Sequence, residues 1–365
     1  MRPTVKSPPG RTLPARRPSR SSRPARTTRT GRGGDQPRQR EEQIACPHFS
    51  SVTPSDWACE GRPETLDRRF AEPELDGAPA RPYVMKGMAM KGRVCLVTGG
   101  TSGVGRSIAA GCARAGAAVV IVSSDQTRGD EAARVMRELT GNPQIEALQA
   151  DLSVMDSVRS LADAFKKRYG ELHVLSLNAA TLTLDRRVTP DGFESIFATN
   201  YLSYFALTNL LLDTLRRSAS SRVIAVSGLP GSLIRVRLDM ADLMLKNGFS
   251  PLKATARAAL AKVLFILELA RRTEGTGVSA NTFHPGLVRS GLPRSLPWFL
   301  RLPARIAMSF FAAESDTGVF LATSPEVAGM TGRFFVGRKP AAFRAAYDVA
   351  DAASRLWEAS ARLVG

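Results

Sequence analysis

The sequence is short of the residues that staple, ligate or anchor. Four cysteines in 365 residues, Cys46, Cys59, Cys95 and Cys112, form no CxxC pair and no regular spacing. That excludes a disulfide framework and points to a reducing, cytoplasmic setting. Cys46, His48 and Cys59 are too few for a closed zinc site, so no metal is expected. No stretch reaches the roughly 18 consecutive apolar residues of a membrane span, and no apolar core follows the N-terminal arginines as it would in a secretory signal. A soluble protein without a membrane span is expected.

Acids are nearly absent from the front of the chain. Residues 1–40 hold twelve Lys or Arg against the single acid Asp35, which accounts for eleven of the eighteen net positive charges and leaves the rest of the chain at +7. The basic character thus belongs to a tail more than to a fold, and it argues against nucleic acid as a partner beyond that tail. Residues 1–87 are rich in Pro, Arg, Ser, Thr and Gly and follow neither a 3.6 nor a 2 period, so a disordered N-terminal tail is expected there. Three readings of it stand side by side. It is an Arg- and Ser-rich targeting peptide, a basic arm for acidic partners, or a segment outside the mature protein, with Met85, Met88 or Met90 as the start; the last is preferred.

From residue 93 short apolar runs alternate with amphipathic stretches, which predicts a parallel sheet covered by helices over a domain spanning 88–365. Strands are expected near 93–98, 117–123, 145–150, 172–178, 221–227, 277–283 and 332–336. One long helix is expected at about 190–216, and Val263–Leu269 belongs to another. The first unit carries the most information. Arg93 to Ala110 reads as strand, glycine-rich turn and helix; Gly99, Gly103 and Gly105 let the backbone approach a diphosphate, which the N–H groups opening the helix would face.

Several motifs in order then resemble the short-chain dehydrogenase/reductase family, in its retinol-dehydrogenase-like branch, from about residue 90 onward. Thr98-Gly99-Gly100-Thr101-Ser102-Gly103-Val104-Gly105 is similar to the family's TGxxxGxG loop, and Asp151-Leu152 stands where the family contacts adenine. Asn178-Ala179-Ala180 takes the place of the end of its NNAG motif, with Leu177 and Ala180 as departures. Asn200 stands at its catalytic asparagine, after a Thr-Pro-Asp-Gly-Phe-Glu run, and His284-Pro285-Gly286-Leu287-Val288-Arg289-Ser290 resembles the loop beside the nicotinamide. The resemblance implies a Rossmann-type doubly wound parallel sheet with helices on both faces. It also implies an NAD(P)-binding role for Thr98, Gly99, Thr101–Gly105, Ser123, Ser124, Asp151, Leu152, Asn178–Ala180, Pro285, Gly286, Val288 and Ser290.

The acid/base machinery departs from the family. By resemblance a tyrosine exchanges the proton, a lysine four residues later lowers its pKa, and a serine binds the carbonyl oxygen. A free phenol titrates near pH 10 and needs such a neighbouring charge. Aligning Val263-Leu264-Phe265 with the family's helix puts Thr255 at the tyrosine and Ala259 at the lysine; Val226-Ser227-Gly228 puts Gly228 at the catalytic serine. None of Tyr83, Tyr169, Tyr201, Tyr204 and Tyr347 has a lysine four residues on. Only Asn200 of the four catalytic positions is retained. Lys253, Lys262, Ser227, Tyr201 and Tyr204 are nearby substitutes, of which Lys262 is expected to face solvent and Tyr204 to pack.

The family-typical NAD carboxylate at the end of the second strand is Ser123, and the arginine of NADP-dependent relatives is Ser124, with Arg106 and Arg128 as other phosphate partners. NADP(H) or NAD(H) is therefore expected, with NADP favoured. Trp298, Phe299, Phe310 and Phe311 fall where the family places its substrate lid, in keeping with a small lipophilic alcohol or carbonyl. The expectation is an oxidoreductase-like protein with a degenerate site and weak or altered activity; the alternative is a non-catalytic dinucleotide-binding regulator or sensor.

Overall fold

A computed structural model describes residues 89–286 and 315–365, apart from residues 219, 344 and 346. The expected tail, the lid aromatics, Val288 and Ser290 lie outside the described residues.

The strands form where Val, Ile, Leu and Ala run together, because a central parallel strand is covered on both faces and has no polar side to show. They are β1 (Val94–Thr98), β2 (Ala118–Ser123), β3 (Ile145–Gln149), β4 (Val174–Leu177), β5 (Ser221–Val226), β6 (Val278–His284), β7 (Arg333–Val336) and β8 (Lys339–Ala341). They make one sheet in the order β3-β2-β1-β4-β5-β6-β7-β8. Each pair from β3 to β7 is parallel, with Leu96 beside Val120 and Leu175, and only β7–β8 is antiparallel.

Seven of these strands lie where the sequence predicts them. The eighth, β8, is an addition. Three residues, one of them Pro340, are too few to show a period, and Lys339 with Pro340 blunts the sheet edge against further pairing.

Alternate strand residues face opposite layers. Leu96, Val120, Val122, Leu175 and Val223 pack under α3 (Met155–Arg168), α5 (Ser203–Arg217), α7 (Pro251–Arg272) and the C-terminal α9 (Val349–Val364). Cys95, Val97, Val119, Ile121 and Ile224 pack against α1 (Gly103–Arg114), α2 (Gln126–Thr140) and α8 (Asp316–Thr323). Helices thus cover both faces, the doubly wound arrangement that the motifs imply, and one short helix, α6 (Pro230–Leu233), follows β5. Cys95 and Cys112 are buried free thiols; the hydrogen bond that the Cys95 thiol makes to Cys112, and then burial, push it well above its usual range, which leaves it unreactive.

The long helix expected at 190–216 starts later and is interrupted. Residues before Ser195 turn instead, with Gly192 at φ +82° and a bridge between Val188 and Glu194. The helix then runs as α4 (Ser195–Phe197), a π-helical turn at Ala198–Leu202, and α5. Glu194 caps it, accepting from the N–H groups of Ile196 and Phe197, each at 2.8 Å.

Trp357 of α9 closes the larger core. Its ring meets Phe205 edge-on at 4.9 Å and Phe265 face-on at 5.9 Å, with the Arg272 guanidinium 4.5 Å above it. Replacing this indole removes both aromatic contacts and leaves a cavity between three helices. Trp357→Ala should lower the unfolding free energy by about 3–5 kcal/mol in urea titration; a loss under ~1 kcal/mol would show that α9 is peripheral to the core.

Candidate nucleotide cleft

Strand order reverses between β1, which continues outward to β2, and β4, which continues to β5. The carboxyl ends of the strands separate there, and open α/β sheets leave a crevice at that point. A cleft of about 920 Å³ lies here.

One wall is the turn after β1. Gly99 and Gly103 hold positive φ, +64° and +56°, which a side chain would strain. A Cβ on Gly105 would stand 2.5 Å from the Gly99 carbonyl oxygen, and one on Gly99 would stand 3.0 Å from Cα of Ala179. The three glycines therefore let the turn, α1 and the end of β4 touch through backbone. Ser102 precedes α1 in extended conformation without capping it through its side chain, and the first turn holds no acid. The opening N–H groups of α1 remain for an anion.

Thr98 does not line the cleft as the motif suggests. It is buried, and its Oγ1 accepts from the N–H groups of Asn178 and Ala179 at 2.9 and 3.2 Å. It ties β1 to β4 and so holds the wall from behind. Asn178 does face the cleft, and its Oδ1 is buried without a hydrogen-bond partner among the described residues.

At one end lie Ser123, Ser124, Arg128, Asp151 and Leu152. The Arg128 guanidinium donates to Ser124 Oγ at 2.9 Å. Asp125 is folded back to cap α2, accepting from the Arg128 N–H at 2.7 Å. Ser123 is buried, its Oγ accepting from the Asp125 N–H. Arg106, the other candidate phosphate partner, is not among the cleft-lining residues.

At the other end the cleft brings together Asn200, Ser227, Gly228, Thr255, Ala259, Lys262, Pro285 and Gly286. Asn200 sits in the π-helical turn, accepting from the Thr181 N–H at 2.7 Å and donating to its carbonyl at 3.1 Å. Ser227 is committed as a donor to the Ala259 carbonyl at 2.8 Å. Thr255 is exposed at the mouth. A Cβ on Gly228 would lie in ordinary contact with Ala259, Leu233 and Ser232 at 3.7–3.8 Å, so the backbone there accepts a Cβ without displacing its neighbours.

The nearby substitutes divide sharply. Tyr201 and Tyr204 are fully buried in the core; the first pairs with Ser360 at 2.6 Å and the second donates to the Ala179 carbonyl at 2.8 Å. Burial pushes both phenols far above their ordinary pKa, so neither acts as a base near neutrality. Lys253 is exposed, with its Nζ 3.4 Å from the Gly248 carbonyl. Lys262 corrects the expectation: it does not face solvent but is 7% exposed and lines the cleft. Burial lowers its pKa to about 8.

Sequence reasoning passed over Arg187, Thr181 and Thr183, which also line the cleft and sit in the irregular stretch after β4, where no period marks them. Among the described residues no cluster of three metal-ligating side chains occurs, and no helix is long and apolar enough to cross a membrane.

Known proteins share this arrangement. Residues 93–237 match the family model for short chain dehydrogenases. Polyprenol dehydrogenase of Homo sapiens is 36% identical over 257 residues, spanning 68% of this chain and 77% of that protein. Retinol dehydrogenase 14 of Homo sapiens is 35% identical over 295 residues, spanning 76% and 87%. Among solved structures, an uncharacterized protein from Mycobacterium paratuberculosis superposes with TM-score 0.59 at 30% identity, covering 75% of this chain and 94% of that one. The NADP active-site complex of Pseudomonas aeruginosa RhlG does so with TM-score 0.54 at 28% identity, covering 69% and 97%. The chain belongs to the short-chain dehydrogenase family, in its retinol-dehydrogenase-like branch.

Proposed function

We propose that this cleft binds a nicotinamide dinucleotide, NADP(H) in preference to NAD(H), and that the protein is an oxidoreductase of lipophilic alcohols or carbonyls whose acid/base step is impaired. The observation that carries this reading is a complete anion cradle sharing one cleft with Gly228, Thr255 and Ala259. The free N–H groups of α1, the glycine turn and the unpartnered Asn178 Oδ1 suit a diphosphate flanked by ribose hydroxyls. When bound, the dinucleotide supplies hydride transfer at its nicotinamide ring.

The residues of this chain do less of the proton chemistry than the family's do. Asn200 holds the loop after β4, Ser227 spends its proton on Ala259, and neither tyrosine of α5 or the π-helical turn reaches the cleft. Loss of positioned acid/base catalysis costs on the order of 10² to 10⁴ in rate, and loss of an oxyanion donor about 10² to 10³; such effects do not multiply when the groups act as a unit. Relatives named polyprenol and retinol dehydrogenases support a long apolar alcohol or aldehyde as the substrate class.

The test combines binding and turnover. The protein should bind NADPH with micromolar or tighter affinity in a fluorescence titration and reduce retinal-like aldehydes slowly. Restoring Thr255→Tyr, Ala259→Lys and Gly228→Ser together should raise that rate by about 10² or more. Rapid turnover by the unaltered chain would sink the impaired-site reading, and binding with no turnover at all would favour a non-catalytic sensor.

The preference for NADP rests on Ser123, Ser124 and Arg128, which offer a 2′-phosphate two hydroxyls and a guanidinium without a free carboxylate at the strand end. Arg128→Ala should weaken NADPH about tenfold or more while changing NADH less than about twofold. Equal losses for both nucleotides would place Arg128 away from the phosphate.

A further inference from the structure

Lys262 is the group the family pattern does not account for. The apolar stretch Ala258–Ile266 is buried throughout, and Lys262 is its single charged residue, 7% exposed. Among the described residues its Nζ has no hydrogen-bond or carboxylate partner; its one charge contact is the ring of Tyr204, 5.4 Å from Nζ to the centroid. A buried ammonium without a partner is destabilising, yet this one borders the cleft beside Ala259.

The helix geometry says where it reaches. Crossover helices between parallel strands run back against the strand direction, so α5 and α7 both begin at the cleft and lead away from it. Side chains on a helix tilt toward its N-terminus and lie over the preceding turn. Lys262 is three residues beyond Ala259, so its side chain is directed back over that alanine, toward the cleft. Its contact agrees: Tyr204 stands four residues beyond Asn200 and is tied to the cleft wall through Ala179.

We propose that Lys262 is the cation that this cleft presents to the nicotinamide half of the dinucleotide, a lysine displaced by three residues along α7 whose ammonium donates to the nicotinamide ribose hydroxyls. The small side chains at 258 and 259 leave it room. With no tyrosine at 255 to acidify, its part is anchoring rather than proton relay. This rests on the nucleotide reading above and names a residue within that site.

Calorimetric titration of the full chain with NADPH, NADH and ADP separates the two ideas, since ADP lacks the nicotinamide half. Lys262→Met should weaken the two dinucleotides about 10- to 100-fold, leave ADP within about twofold, and unfold at the same or a higher temperature than the unaltered chain. Lys262→Arg should retain most of the affinity, and adding Ala259→Lys to Lys262→Met should restore much of it. Unchanged dinucleotide affinity in Lys262→Met would overturn the role of Lys262 alone, as would an equal loss for ADP. Failure of the unaltered chain to bind any of the three would overturn the nucleotide reading and this inference with it.

Discussion

The structure depends on one backbone contact, the approach of α1 to the turn that precedes it. Gly105 lies so close to the Gly99 carbonyl that even a methyl group would stand 2.5 Å away. Gly99 in turn lies against Ala179, and Gly100 against Ile121, where a Cβ would be 2.6 Å from Cγ2. The turn is thus wedged among β2, the end of β4 and its own helix, with Thr98 fastening it from behind. Wedging fixes the direction of α1, and α1 is left without a side-chain cap. Asp125 treats α2 differently, closing its first turn. One helix completes its own hydrogen bonds and the other reserves them, and that asymmetry makes the switch point a binding place rather than a mere gap.

The opposite end of the cleft has a frame of its own. Asp191 accepts from the Met155 N–H at 2.8 Å, Glu194 caps α4, and Asn200 clasps Thr181 from the π-helical turn. The Thr189–Glu194 run therefore aims the helix that carries Asn200. A π-helical turn adds a residue to the helical circuit and is strained unless its neighbours hold it; here both ends of the Asn200 amide are engaged. None of these contacts involves Gly228, Thr255 or Ala259, so the frame stands independently of them.

The sheet was legible because strands buried on both faces read as unbroken apolar runs, and Leu96, Val120 and Leu175 leave little choice of register. The glycine turn was legible because only glycine tolerates such approach. Three features were not. Strand β8 is too short to show a period, and the π-helical turn changes hydrogen bonding without changing residue type. Lys262 was misread because a lysine in a helical pattern is ordinarily assigned to the wet face. At that level α7 packs against α9, the sheet and the π-helical turn, and only the cleft borders it. The signal was present in the stretch Ala258–Ile266, where one charge stands among eight apolar residues, since a helix apolar all round is buried all round.

The small residues at this end of the cleft also bear on function. Thr255, Ala259 and Gly228 share this end of the cleft, and a Cβ on Gly228 would lie in ordinary contact with its neighbours at 3.7 Å. A cleft retained only as a relic would gain stability by closing over apolar side chains and shedding a buried ammonium. Instead it keeps its opening, its uncapped helix, an unpartnered Asn178 oxygen and Lys262. Each of these is unfavourable alone and favourable beside a ligand that carries phosphates and hydroxyls. The accumulation of unsatisfied polar groups along the cleft, from the opening of α1 to Lys262, is what a binding site requires.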